Sequence, residues 1–404
     1  MTEFFLDLET RSRADVKKVG VYAMAEDPTL RILSAHFAFD DGPVSHWRGA
    51  FAPGPQDDEQ INEAFADLLD AIEDGARGWA HNAAFDFTIW NACAERYDFP
   101  HLRPGQLRDS AVVCRALNLP GALGAVAKAT GGAKLPNKTF HPLWKIRDED
   151  EAIPDTDAFQ ALYEEMLVYG DMDVEEMRRQ LRLFPTLPER IWREYEVSET
   201  INRRGVRVDL DWCREAVSRV AEVGAEVSAE LEYLTFGAVQ TPKQSAAARQ
   251  WFELELSRAG LLAEDEHVTK QFKKRRSDGV GFYTEERPCF DRATRREWRE
   301  RLLEHPQAED IAHVVDMLDL MEEGAAAATA KYAAAIARAS KDGRLRGMYV
   351  FGGAQQTGRY TAGGLQPHNL VRAKVKGSVP EAQKAACTLA EMSKLLRTTI
   401  TAGD

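Results

Sequence analysis

Apolar residues follow two rhythms along the chain. In the first fifty residues they fall in short runs: Phe4-Phe5-Leu6-Asp7-Leu8-Glu9-Thr10, then residues 31–39, then residues 43–47. Turn residues Asp40-Asp41-Gly42-Pro43 separate the last two, so the pattern predicts three strands. Residues 59–74 switch to helical spacing and end before Gly75. Gly78-Trp79-Ala80 reads as a short buried strand, and His81-Asn82 opens a helix through Phe85-Asp86-Phe87-Thr88-Ile89-Trp90. A second helical stretch lies within residues 105–131, and residues 134–150 form a loop with basic and aromatic members. A long helix over residues 156–183 ends at Pro185 and Pro188. This alternation predicts an α/β domain over residues 1–187.

Beyond it the helical rhythm dominates. Helices are expected over residues 210–234, 243–258, 291–304 and 309–340, the last including an alanine-rich stretch. Extended pieces are expected at residues 205–209, at Phe282-Tyr283 after the basic run 270–276, and at residues 348–353. Residues 188–340 therefore form a mainly helical region. A further shift in composition marks residues 341–404.

Composition narrows the classes. With 44% hydrophobic and 29% charged residues among 404, the chain is globular and long enough for two or three domains. No apolar run approaches the length of a membrane span, and no secretory signal is expected. Five scattered cysteines, never in a C-x-x-C pair, read as free thiols of a reducing cytoplasm. The net charge of −13 is uneven: residues 1–185 carry 32 acidic and 19 basic residues, whereas residues 341–397 carry ten basic and three acidic. An acidic first half fits a cation-binding module, and a basic stretch near the end fits a phosphate backbone. A solvated face would explain either asymmetry as well.

The candidate chemistry starts at Asp7 and Glu9. On a strand they share one face, with Leu6 and Leu8 on the other. Taken alone, the two acids equally describe an edge strand facing water. Two further blocks follow: Asn82-x-x-Phe85-Asp86, with Asn82 as the N-cap of the helix, and Tyr169-x-x-x-Asp173, four apart on one helical face. Each block has an ordinary surface explanation. Four acids from separate elements converging on one point would hold two divalent cations.

In this order and spacing the three blocks resemble the proofreading 3′→5′ exonucleases of the DEDD superfamily, in the subclass with Tyr four residues before the last Asp. The resemblance covers residues 1–185. It implies a ribonuclease H-like fold with a mixed sheet, and Asp7, Glu9, Asp86 and Asp173 holding two Mg²⁺ ions, with Mn²⁺ as a substitute. Tyr169 would orient the attacking water, Asn82 and Phe85 would touch the DNA strand, and His81 would be structural.

The second half resembles family A DNA polymerases, with spacing most like bacteriophage members. Residues 201–209 with Thr241-Pro242-Lys243-Gln244 look like the thumb. Lys331-Tyr332, residues 343–347, Thr357-Gly358-Arg359 and residues 365–370 look like the entry to the palm. By this resemblance Lys243, Arg359, Gln366 and Asn369 contact DNA, although a lone T-G-R would be a turn with a surface Arg. His368 and Val371 depart from the family's usual Gln and Pro. The palm and fingers blocks D-[FY]-S-x-x-E, R-x-x-x-K-x-x-x-[YF]-G and H-D-E do not occur in these 404 residues. The expectation is therefore a Mg²⁺-dependent exonuclease joined to a thumb and an incomplete palm, truncated or encoded by a split or interrupted gene. It would be unable to synthesise DNA alone and would act in a host cytoplasm. A second polypeptide carrying the palm and fingers is the expected partner. A non-catalytic DNA-holding subunit and a ribonuclease D-like RNA-processing enzyme are the alternatives.

Overall fold

The computed structural model describes residues 2–49, 63–133, 138–144, 153, 156–263, 265–276, 280–324, 327–354, 356–370 and 375–401. The elements in order are β1 (Phe4–Arg11), α1 (Val16–Ala25), β2 (Arg31–Phe39), β3 (Ser45–Arg48), α2 (Glu63–Glu73), β4 (Gly78–Ala80), α3 (Ala84–Tyr97), β5 (Leu107–Asp109), α4 (Ser110–Ala116), α5 (Leu123–Ala129), α6 (Asp157–Leu183) and α7 (Glu189–Arg204). The later ones are β6 (Val206–Arg207), α8 (Leu210–Leu234), α9 (Ser245–Arg258), β7 (Thr269–Arg275), β8 (Phe282–Pro288), α10 (Arg292–Leu303), α11 (Ala312–Glu323), α12 (Ala330–Arg338), β9 (Arg344–Leu345), β10 (Tyr349–Ala354), β11 (Arg359–Ala362), α13 (Val379–Ala385) and α14 (Leu389–Leu395). The start of the helix expected from residue 59, most of the 134–150 loop, residues 325–326 and Val371 lie outside the described residues.

Strands β1–β5 form one mixed sheet in the order β3-β2-β1-β4-β5. The first three are antiparallel, while β1, β4 and β5 run parallel. Strand β1 is buried on both faces, which is why its sequence is apolar almost throughout. Phe4, Leu6 and Leu8 join Phe65, Leu68, Ile72, Ile89 and Trp90 in one core, against α2 and α3. Phe5, two residues before Asp7 and so on its face, packs with Val174 and Met177 of α6. The acids of β1 therefore point beneath α6, not into water.

Helix α6 starts at Thr156, whose side chain accepts the Phe159 N–H. Helix α3 starts differently from the sequence expectation. Asn82 is not its N-cap: it holds φ of +68° one residue earlier, and its N–H donates to Asp109 Oδ1. Asp109, at the end of β5, spends the same oxygen on capping α4 through the Ala111 N–H.

The chain divides into two compact units: residues 1–210 with 334–370 and 400–404, and residues 211–333 with 371–399. In the first, β6 pairs with β9 and β10 with β11. Asn202 of α7 ties into β10, accepting the Tyr349 N–H and donating to the Tyr349 carbonyl. The second unit has its own core, including Val227, Leu231, Trp251, Phe252, Phe290, Leu302, Met317 and Met321. One helix was expected over residues 309–340, but two form. Gly324 ends α11 against Pro242, so closely that a Cβ there would lie 2.1 Å from Pro242 Cγ. A tight turn at Ala327–Thr329 then restarts the chain into α12. A hairpin of β7 and β8, absent from the sequence reading except at Phe282-Tyr283, also belongs to this unit. No helix among the described residues is long and apolar enough to cross a membrane.

Candidate active site

Four acids from three elements meet under the start of α3. Asp7 and Glu9 come from β1, Asp86 from the first turn of α3, and Asp173 from α6 one turn after Tyr169. The Leu8 N–H, between the two strand acids, donates to Asp86 Oδ1 at 3.2 Å, so the helix is docked on the strand through its own acid. Tyr169 hydrogen-bonds Asp173 across the turn that separates them.

Glu9 and Asp86 are buried, Asp7 and Asp173 half-buried, and the four oppose one another's ionisation. Burial and then the Asp7 charge push Glu9 up to about 8. The same two causes lift Asp173 to about 8 and Asp86 well above its ordinary value. Burial also raises Asp7, against the pull of His36, Lys138 and His81. Tyr169 is raised as well, by burial and by Asp173. Uncompensated, such a cluster must hold protons. One oxygen of the cluster, Asp173 Oδ1, is buried with no hydrogen-bond partner among the described residues. Carboxylates converging from three elements, one with a buried unpartnered oxygen, are a fit donor set for hard divalent cations such as Mg²⁺ or Mn²⁺.

Three neighbours of the cluster were not singled out as site residues in the sequence. Trp144 Nε1 donates to Glu9 Oε2 at 3.0 Å. Lys138 Nζ lies 4.4 Å from the centre of the Tyr169 ring and 5.1 Å from that of Trp144, and its charge lowers the pKa of Asp7, Glu9 and Asp173. Phe140 packs on the Tyr169 ring at 5.3 Å between centroids. The signal that could have found them is the basic and aromatic content of the 134–150 loop. A fourth neighbour, from outside that loop, is His36, directly across from Asp7 in the β1–β2 register. His81 bonds Ser110 Oγ and the Gly121 carbonyl, a structural role as expected.

The remaining sequence candidates lie elsewhere. Asn82 is exposed and Phe85 half-buried, and both line a cavity of about 240 Å³ of mixed polar and apolar character, with Asp109, Glu199, Asn202 and Phe351. Arg359 is exposed at the start of β11 and lines an open groove with Ser198, Ile201, Tyr349, Tyr360 and His368; no member of the acidic cluster lines it. Gln366, with φ of +52°, accepts from Asn369 Nδ2 at 3.4 Å. Lys243 is exposed in the turn before α9, in the second unit.

No family model matches the chain. It is 27% identical over 396 residues to a DNA polymerase of Bacillus phage SP02, an alignment covering 93% of this chain and 52% of that protein. The chain is thus related along nearly all its length to a phage DNA polymerase, and it spans about half the length of that relative. A solved structure of the POL domain of Pol1 from M. smegmatis, in complex with DNA primer-template and dNTP, aligns with 91% of this chain and 53% of its own. Sequence identity there is 13% and the TM-score 0.44.

Proposed function

We propose that the chain is the exonuclease-bearing half of a family A DNA polymerase. Its activity is 3′→5′ hydrolysis of the terminal phosphodiester of single-stranded or frayed DNA. The observation that carries this is the convergence of Asp7, Glu9, Asp86 and Asp173 beside Tyr169 in one largely buried cluster. The relationship to a phage DNA polymerase and the mixed sheet under the cluster support the ribonuclease H-like, proofreading reading.

The four acids would hold two Mg²⁺ ions, which when bound supply charge stabilisation at the scissile phosphate and a more acidic water. The protein's own groups orient the donors. Trp144 holds Glu9 by Oε2 and the Leu8 N–H holds Asp86 by Oδ1, which fixes the orientation of both carboxylates. The Tyr169 ring is pinned between Phe140 and Lys138. Its raised pKa keeps the hydroxyl neutral, so it positions a water by hydrogen bonding and does not serve as a base. Lys138 brings positive charge to the rim, suited to the DNA phosphate. In this reading Asn82 and Phe85 guide the single strand, and Lys243, Arg359, Gln366 and Asn369 hold the primer-template duplex. The palm and fingers blocks needed for DNA synthesis do not occur in these 404 residues.

The test is degradation of 3′-labelled single-stranded DNA in Mg²⁺, with a matched RNA strand in parallel. The wild-type chain is expected to shorten the DNA, and the Asp7→Asn, Glu9→Gln double variant to lose activity. An unchanged rate in that variant overturns the site. Faster cleavage of RNA than of DNA overturns the substrate.

A further inference from the structure

A second cluster of donor atoms lies on the same face of the sheet, one strand further out. In the strand register Asp7 of β1 stands across from His36 of β2, and His36 across from His46 of β3, so the three side chains form a row beneath α6. Above the row is Asp171. His36 Nδ1 lies 2.8 Å from Asp171 Oδ1, and His46 Nδ1 lies 3.2 and 3.1 Å from the two Asp171 oxygens. One donor atom from each residue falls within 4.8 Å of the other two. The helix can come this close because residue 170 is glycine: a Cβ there would sit 2.3 Å from His36 Cδ2.

We propose that His36 Nδ1, His46 Nδ1 and a carboxylate oxygen of Asp171 form a transition-metal site suited to Zn²⁺, with a fourth position open to water. Two imidazoles and one carboxylate are a donor set that zinc accepts, unlike the oxygen-only acids next door. Nitrogen–oxygen spacings near 3 Å are those of ligands around one tetrahedral ion at about 2 Å from each. The second sphere is built too. His36 is fully buried, and its other nitrogen, Nε2, lies 2.8 Å from the fully buried Ser34 Oγ. With Nε2–H donating to that hydroxyl, the Nδ1 lone pair faces the carboxylate, as a metal ligand requires. Access is from the outer strand, where His46 and Asp171 are about one-third exposed. A metal here would fasten β2 and β3 to α6, the helix that carries Tyr169 and Asp173. The site stands whether or not the acidic cluster is an exonuclease.

The experiment is titration of the metal-free full chain with Co²⁺, read by the visible d–d absorption of tetrahedral cobalt and followed by displacement with Zn²⁺. The exposed thiol is removed by Cys387→Ser. One equivalent of tetrahedral Co²⁺ is expected, retained in the Asp7→Asn, Glu9→Gln variant and lost in His46→Ala and in the near-isosteric Asp171→Asn. Ser34→Ala should weaken binding about 10–100-fold. Circular dichroism checks that each variant is folded. Absence of the band shows a cluster that is hydrogen-bonded only and overturns the proposal. So does a band that survives both His46→Ala and Asp171→Asn, or one lost with the Asp7 and Glu9 substitutions, which would assign the ion to the acidic cluster.

Discussion

Glu9 and Asp173 carry the most direct consequence at the scale of single residues. Both are lifted to about 8, chiefly by burial and then by Asp7. In the metal-free folded protein they keep protons that the unfolded chain releases above pH ~4. The folded state therefore binds more protons between pH ~4 and about 8, and stability falls as pH rises through that window. Each pH unit over which one such proton is retained costs about 1.4 kcal/mol. Thermal melts in chelator should drop from pH 5 to pH 8, and Mg²⁺ should restore more stability at pH 8 than at pH 5. A flat metal-free profile would contradict the shared burial of the acids. Asp7→Asn should raise the metal-free melting temperature at pH 8, because it removes the charge that opposes the other three, while abolishing the response to Mg²⁺. At the proposed duplex surface, Arg359→Ala should weaken DNA binding alike for all sequences and lower the salt slope by about one.

Helix α6 shows how one element sets the site. Its four-residue spacing puts Tyr169 and Asp173 on the acidic cluster, which was readable in the sequence because helical periodicity is local. Asp171, between them, faces the two histidines instead. Gly170 makes both contacts possible. Gly170→Ala should cost about 1–3 kcal/mol by overpacking against His36. Gly224→Ala, in α8 with nothing near its missing Cβ, should gain about 0.5–1 kcal/mol. Opposite signs in urea unfolding would separate close approach from helix propensity, and equal signs would refute the packing argument. The elements themselves were largely legible: β1, β2, α6 and α8 form where the apolar rhythm puts them. The failures have local causes. The long helix broke where Gly324 meets Pro242, and Asn82 gave up the cap position to adopt a left-handed turn held by Asp109.

On the scale of the whole molecule, the first unit is discontinuous in sequence, drawing on residues 1–210 and 334–370. Trp192 of α7 stands edge-on to Trp79 at 5.4 Å, with the Arg108 guanidinium 4.8 Å from its ring centre. Arg115 Nε donates to the Phe351 carbonyl at 3.0 Å, and the Tyr195 ring meets that of Phe351. A fragment ending at residue 187 loses all of these, and the missing Trp192 alone is worth about 3–5 kcal/mol by analogy with a core Trp truncation. That fragment should melt below the full chain, and one ending at residue 210 should recover part of the loss. Equal melting of the two fragments would show that α7 does not support the sheet.

The sequence by itself determined which residues share a face: the acids of β1, and Tyr169 with Asp173 on one turn. Strand and helix periods are properties of a few consecutive residues. Only the tertiary structure decided what lies across from them. His36 opposite Asp7, Trp144 on Glu9, Lys138 over Tyr169 and β10 against α7 depend on strand register and loop placement. Register is set by distant packing, and no local spacing encodes it.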